Sequence, residues 1–225
     1  MGRDIVLDTP RGGIGAWRAD PVGAPRGGLV VVQEIYGVNA HVRGVVDRYA
    51  AEGYVAMAPA FFDAAPGATH GIELDYSRDA TDRGRALVDA LGLDAAVGIV
   101  EAAAGQLRGE GLKVGVVGFC WGGTVALLGN TRLGLPAASY YGARNLPFLD
   151  EPLRAPMQFH FGEADPAIPR EAVDAHRAKQ PGAATYSYPG AGHAFNREVD
   201  PAHYDAGAAR EAHARTMALF AEALS

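Results

Sequence analysis

Short apolar runs recur along the chain at residues 28–32, 54–58, 114–119, 137–141, 157–161 and 185–188. Most are continuous rather than alternating. A strand with one wet face alternates apolar and polar side chains, so an unbroken run marks a strand covered on both faces, as in a parallel sheet. Between the runs lie segments of helical character at 41–52, 82–90, 94–108, 122–130 and 170–178, and an Ala-rich amphipathic segment spans 201–224. Strand and helix in alternation predict an α/β chain with a mostly parallel, doubly wound sheet flanked by helices. Residues 4–7 and 13–18 alternate instead and predict an antiparallel edge. In such sheets ligands meet the protein beyond the carboxyl ends of the strands. The residues just after each apolar run therefore matter most.

The bulk numbers narrow the rest. A length of 225 residues, 48% hydrophobic and 20% charged, suits a single domain over 1–225 with a sizeable core. A formal charge of −6, with no Lys/Arg cluster, argues against a nucleic-acid partner. No apolar run approaches the ~20 residues that span a bilayer. Charges at Arg3 and Asp4 stand where a signal peptide would be apolar, and Val6 stands where a myristoylation signal needs Ser or Thr. One cysteine makes no internal disulfide. The expectation is a cytoplasmic protein with no membrane partner. There is no internal repeat or low-complexity tract.

After the run at 114–117 comes Gly118-Phe119-Cys120-Trp121-Gly122-Gly123, followed by a helical segment. Strand, tight turn and helix form the setting of a nucleophile elbow, whose G-x-S-x-G pattern is met here with cysteine in place of serine. Glycines flank the nucleophile because its backbone is strained and tightly packed. A strand-to-helix turn can also cradle phosphate, but no P-loop lysine and no G-x-G-x-x-G is present. A lone cysteine can be a buried structural thiol. The order of the residues downstream argues for chemistry. Nucleophile, acid and histidine follow one another in this class of chain. Asp165 lies in the loop Phe161-Gly162-Glu163-Ala164-Asp165-Pro166, and His193 in Gly190-Ala191-Gly192-His193-Ala194-Phe195. Asp165 would hold the imidazole and His193 would carry the proton. Glu163 is a rival acid, and Asp-Pro often simply begins a turn. His160 sits within a strand and reads as a core or supporting residue. His41, His70, His176, His203 and His213 read as helical or solvated, and none has metal-ligand spacing. The natural oxyanion donors are the backbone N–H groups of Ile35 and Trp121. Glu34 ends the strand before Ile35, a position where an acid commonly faces solvent.

These motifs together resemble the dienelactone hydrolases, or carboxymethylenebutenolidases, from about Gly28 to Phe220. The resemblance rests on Gln33-Glu34-Ile35-Tyr36-Gly37-Val38-Asn39, the Cys120 motif, Tyr140-Tyr141-Gly142, Gly162 to Pro169, and Gly190 to Phe195. It implies an α/β-hydrolase fold, a Cys120-Asp165-His193 triad, and Glu34 as the group that accepts the thiol proton when substrate binds. It implies no cofactor and no metal. The partner it implies is a small ester or lactone, for a monomer or small homo-oligomer. It further implies a substrate carboxylate held by arginine. Arg197, four residues after His193, occupies one such position. Thr81 falls at the position of the second arginine and Arg85 at that of a family tyrosine, with Arg78 and Arg83 nearby and Val88 in place of an aromatic. Arg197, Arg85, Arg78, Tyr141 and Phe195 are the candidate substrate-binding residues. The expected chemistry is attack of Cys120 on an ester or lactone through a thioester. The alternatives are a broad small-ester carboxylesterase and a thiol sensor on the same scaffold. A papain-like protease is rejected, because its histidine lies much farther downstream. The long segment 61–76, with Phe61, Phe62 and Tyr76, is a candidate lid or a surface excursion.

Overall fold

The computed structural model describes residues 2–225. Two compact units divide it: one reaches Gly115 and includes Leu224, and the other spans Val116–Ala223 with Ser225. Where the sequence suggests one domain over 1–225, the boundary falls inside a strand rather than in a linker.

The first unit holds β1 (Arg3–Thr9), β2 (Gly12–Ala19), β3 (Gly28–Val32) and β4 (Val55–Pro59), with helices α1 (Ala40–Ala51), α2 (Arg78–Leu91) and α3 (Leu93–Gly109). Its strand order is β1-β2-β4-β3. β1 and β2 form the antiparallel edge that their alternation predicts, while β3 and β4 run parallel. Every residue of β3 and β4 is buried, which accounts for their unbroken apolar runs. Asn39 caps α1 by accepting from Val42 N–H at 3.3 Å, and Ser77 caps α2 by accepting from Ala80 N–H at 3.3 Å. The Ser77 cap starts α2 four residues earlier than the periodicity at 82–90 suggests.

Segment 61–76 is tied down within this unit. It opens with a short 3-10 helix (Phe61–Ala64) whose two phenylalanines are buried. The Asp63 carboxylate accepts from Gly15 N–H at 2.9 Å and from Gly71 N–H at 2.7 Å. Leu74 N–H donates to Tyr36 O at 2.9 Å, and the Tyr76 ring meets Tyr36 edge-on at 4.8 Å.

The second unit carries β5 (Val114–Phe119) from Val116 onward, α4 (Trp121–Leu133), β6 (Ala137–Tyr140), β7 (Met157–Gly162), α5 (Arg170–Lys179), β8 (Ala184–Tyr188) and α6 (Ala206–Ala223). Strands β5-β6-β7-β8 are parallel throughout and lie in that order. β8 ends the row and is only partly covered, consistent with its more polar sequence. α4 runs three residues past the 122–130 of the sequence reading, and two further boundaries differ for a visible reason. β6 stops at Tyr140, because Tyr141 turns to φ 38°. α6 begins at Ala206 rather than 201, because Asp205 caps it by accepting from Ala208 N–H at 2.9 Å. Residues 201–203 instead turn back on Asp200, whose carbonyl accepts from His203 N–H at 3.0 Å.

Asn130 ties α4 to the chain around it. It is fully buried; its amide donates to Leu135 O at 3.0 Å and Ala155 O at 2.9 Å, and its carbonyl accepts from Arg154 N–H at 3.2 Å. Each partner is a backbone group, and the Leu135 carbonyl lies in the interior, where an unmade bond is costly. Replacing Asn130 by Ala should lower the unfolding free energy by about 3 kcal/mol, and Asn130→Asp by nearly as much, since a carboxylate cannot donate. Urea melts followed by circular dichroism measure this.

Candidate active site

The site is built on the turn between β5 and α4. Cys120 has φ 54° and ψ −117°, and it is partly exposed. That backbone is strained for any residue with a Cβ. It is stabilised on two sides: Cys120 N–H donates to Tyr140 O at 3.0 Å, and Gly123 N–H donates to Cys120 O at 2.9 Å. The turn is tight enough that a Cβ at Gly118 would lie 1.8 Å from the Gly122 carbonyl oxygen. Only glycine fits at 118. Cys120 is the N-cap of α4, so it stands at the positive end of the helix dipole.

Asp165 and His193 come from the loops after β7 and β8. His193 Nδ1 lies 2.7 Å from Asp165 Oδ2, and Asp165 Oδ1 accepts from Ala167 N–H at 2.8 Å. Asp165 is 3% exposed, with both carboxyl oxygens engaged in hydrogen bonds. Glu163, the rival acid, points to solvent. His193 also hydrogen bonds with Cys120. The structure thus brings Cys120, His193 and Asp165 into one chain of contacts. Burial by itself would depress the imidazole, but the hydrogen bonds and negative charge of Asp165 and Cys120 outweigh it and push His193 up to about 10.

Tyr141 and Phe195 pack against this chain. The Tyr141 ring lies 4.9 Å from that of His193 and 5.4 Å from that of Phe195. Both residues are fully buried, so they act as walls rather than as open contacts. The Tyr141 hydroxyl donates to Asn196 Oδ1. Asn196 escaped the sequence reading, since nothing at the sequence level marks the asparagine three residues after His193. Among the described residues, the non-glycine positions with positive φ are Cys120, Tyr141 and Ala194. All three lie in or against this site.

Arg197 is 4% exposed, and its Nη1 lies 3.0 Å from Asp200 Oδ2. Asp200 also receives His203 Nδ1 at 2.8 Å. Asp200 is a second residue the sequence reading passed over, and it changes what Arg197 offers to a ligand.

In the first unit, Glu34 and Ile35 follow β3 and are buried, Glu34 at 1% exposure rather than facing solvent. The Ile35 carbonyl presses on α2: a Cβ at Gly84 would lie 1.9 Å from its oxygen. The arginines of α2 do not turn inward. Arg78, Arg83 and Arg85 are exposed, and Arg85 lies 3.7 Å from Asp82. Thr81 is bonded to Tyr36 Oη at 3.1 Å and Val88 is buried. Of the remaining histidines, His41 lies on α1 and His176 on α5, the helical placement expected for them, and both are buried. Among the described residues no cluster of His, Cys, Asp or Glu is arranged to hold a metal ion, and no helix is long and apolar enough to cross a membrane.

Parallel strands in this order, with a strained elbow leading into a helix and later loops bearing acid and histidine, define the α/β-hydrolase fold. A Pyrococcus furiosus esterase shares that fold at a TM-score of 0.72 and 14% identity, over 100% of this chain and 92% of its own. A crystal structure from Klebsiella pneumoniae assigned to the dienelactone hydrolases matches at a TM-score of 0.84 and 26% identity, covering 99% of this chain and 98% of that one. Residues 14–224 fit the dienelactone hydrolase family, and the chain belongs to that family. The carboxymethylenebutenolidase of Pseudomonas putida is 32% identical over 214 residues, 90% of this chain and 89% of the relative. The protein is a dienelactone hydrolase-like carboxylic ester hydrolase.

The raised His193 has a measurable consequence. A group whose pKa rises on folding adds stability that is full below its unfolded value, near 6.5, and is lost as pH climbs through its folded value, about 10. Asp165→Asn should lower the His193 midpoint in an NMR titration. It should also destabilise the protein most near neutral pH and least above pH 10.

Proposed function

We propose that the protein opens small lactones or cleaves small esters with Cys120 as nucleophile, through a thioester. The observation that carries this reading is the His193 Nδ1 to Asp165 Oδ2 bond of 2.7 Å, in a loop whose histidine also bonds to the elbow cysteine. The Cys120 sulfur forms a bond to the substrate carbonyl carbon, and the carbonyl electron pair moves onto oxygen. Backbone N–H groups of Ile35 and Trp121 receive that oxyanion, each worth roughly 3 kcal/mol of the barrier. The tetrahedral intermediate collapses, the C–O bond to the enol or alcohol breaks, and His193 gives the leaving oxygen its proton. Water then attacks the thioester, losing a proton to His193. The C–S bond breaks and the acid product departs. In this reading His193 carries its own proton at the start, Glu34, buried after β3, is the proposed acceptor of the Cys120 proton when substrate arrives, and it returns that proton to the sulfur after the C–S bond breaks. No cofactor takes part in these steps. A small molecule is the only partner the reading requires, and it operates equally in a monomer or a small homo-oligomer. A cytoplasmic setting suits the single free thiol.

The substrate we propose is dienelactone-like, with a carboxylate received by Arg197. A second reading, a carboxylesterase for neutral small esters, is favoured by one observation: Asp200 already sits on Arg197 at 3.0 Å, while Arg78 and Arg85 face solvent. Turnover of cis- and trans-dienelactone beside neutral p-nitrophenyl esters separates the two. A strong preference for the anionic lactone supports the first; equal or better turnover of the neutral esters supports the second.

Cys120→Ala should lower kcat at least about a thousandfold with the circular dichroism spectrum unchanged. Cys120→Ser should keep the fold and turn over slowly, because a hydroxyl is far less acidic than a thiol. Full activity in Cys120→Ala would defeat the nucleophile assignment.

A further inference from the structure

A buried polar chain that the reaction itself does not use runs beneath the second unit's site. His160 on β7 is fully buried, with Nδ1 2.8 Å from Tyr188 Oη and Nε2 3.2 Å from Thr216 Oγ1. Thr216 on α6 is in turn 2.7 Å from Tyr140 Oη. Arg215 Nη1 donates to Tyr188 Oη at 3.2 Å, and the guanidinium lies 4.1 Å over the Tyr186 ring. An arginine only donates, so Tyr188 Oη accepts there and its own hydrogen is free for His160; we assign His160 the Nε2–H tautomer, which lets every bond of the chain form. The Tyr188 hydroxyl accepts from Arg215 and gives its own hydrogen to His160 Nδ1. His160 Nε2–H then donates to Thr216. The imidazole serves as one acceptor and one donor, which requires it to be neutral; burial pushes it down to about 3 and keeps it so.

The backbone carbonyls of the same residues hold the segments that carry the triad. Tyr140 O accepts from Cys120 N–H at 3.0 Å. His160 O accepts at 2.8 Å from the N–H of Tyr141, whose ring packs on His193. Tyr188 O accepts from Glu163 N–H at 3.0 Å and Ala191 N–H at 3.3 Å, each two residues before a triad member. Tyr140 and His160 are directly paired across β6 and β7. One set of side-chain bonds thus joins the ends of three strands, and one set of carbonyls passes their placement on to the nucleophile, acid and base. Apolar side chains of similar size would fill the same space without fixing distances or direction.

We propose that Tyr140, His160, Tyr188 and Thr216, oriented by Arg215, form a positioning frame that sets the relative placement of Cys120, Asp165 and His193. The proposal rests on the triad reading given above. Its members are positioning residues, since none touches the reacting atoms. A shift of about 0.5 Å between nucleophile and base is enough to cost turnover, so the frame should be read in kcat more than in binding.

The test compares Tyr188→Phe and Thr216→Val with His160→Gln, whose amide keeps one acceptor and one donor. Turnover of p-nitrophenyl butyrate gives kcat and KM. The pH dependence of Cys120 alkylation by iodoacetamide reports the thiol–imidazole pair directly. Tyr188→Phe and Thr216→Val should each lower kcat roughly tenfold with KM unchanged and should shift the alkylation profile. His160→Gln should keep most of the activity. A merely structural role would lower the melting temperature yet leave kcat and the alkylation profile of the folded variant at wild-type values, and that result overturns the proposal. If Tyr188→Phe does not fold, Thr216→Val carries the same test. Cys120→Ala, measured in parallel, keeps the two readings apart. Turnover retained there defeats the nucleophile assignment, whereas wild-type kcat in the frame variants beside an inactive Cys120→Ala defeats the frame alone.

Discussion

The close approach of Gly118 to Gly122 is the constraint on which the second unit depends. The gap between them has no room for a Cβ, and this tightness forces Cys120 to φ 54° at the head of α4. Such backbone is unfavourable by order 1–3 kcal/mol and persists only where its surroundings over-determine it. Here the surroundings are specific. A carbonyl from the neighbouring strand takes the cysteine N–H, and the first turn of the helix takes its carbonyl. The strain projects the sulfur clear of the strand end and brings it to the helix N-terminus. Tyr141 and Ala194 are the other described non-glycine residues in this backbone region, and both flank His193. Strain is thus concentrated where three loops meet.

The charges at the site oppose their own burial. An imidazole as enclosed as that of His193 should lose its proton readily, yet two acidic partners reverse the direction. Removing either partner therefore exposes the desolvation penalty that it offsets. His160 shows the opposite outcome in the same unit. More deeply enclosed, it is lowered first by burial and then by the Arg215 cation, and with neutral hydrogen-bond partners it stays uncharged. Two histidines about thirty residues apart thus acquire opposite protonation from burial and from the charge of their neighbours.

The first unit is ordered by a different set of contacts. Ile35 is pressed against α2 through the space left by Gly84, and segment 61–76 is pinned through Asp63, Leu74 and Tyr76. The arginines of α2 stay in solvent, where exposed ion pairs such as Arg85–Asp82 contribute little. In the second unit Arg197 is buried with an internal carboxylate. The arginines that the motifs single out are thus either in solvent or held by an internal carboxylate.

The continuous runs read as β3 to β7 needed no tertiary information, because burial on both faces leaves no polar alternation. The elbow was legible for the same kind of reason: Gly118, Cys120 and Gly122 are spaced by local geometry. The order of Cys120, Asp165 and His193 was legible too, since each follows a readable strand. Helix limits were less so. Ser77 and Asp205 moved the starts of α2 and α6 through caps that compete with periodicity. Asn196, Asp200 and the partners of His160 left no trace in the sequence, because each acts through a neighbour brought near only by folding. Residue order alone carries the strand pattern, the strained turn at Cys120 and the identity of the acid and base candidates, all consequences of local spacing and burial. Folding settles that Asp165 rather than Glu163 reaches the imidazole, that His193 is raised while His160 is depressed, and that Arg197 carries an internal partner. Those outcomes depend on distances between distant segments, and electrostatic effects change with distance and burial in ways that residue order does not encode.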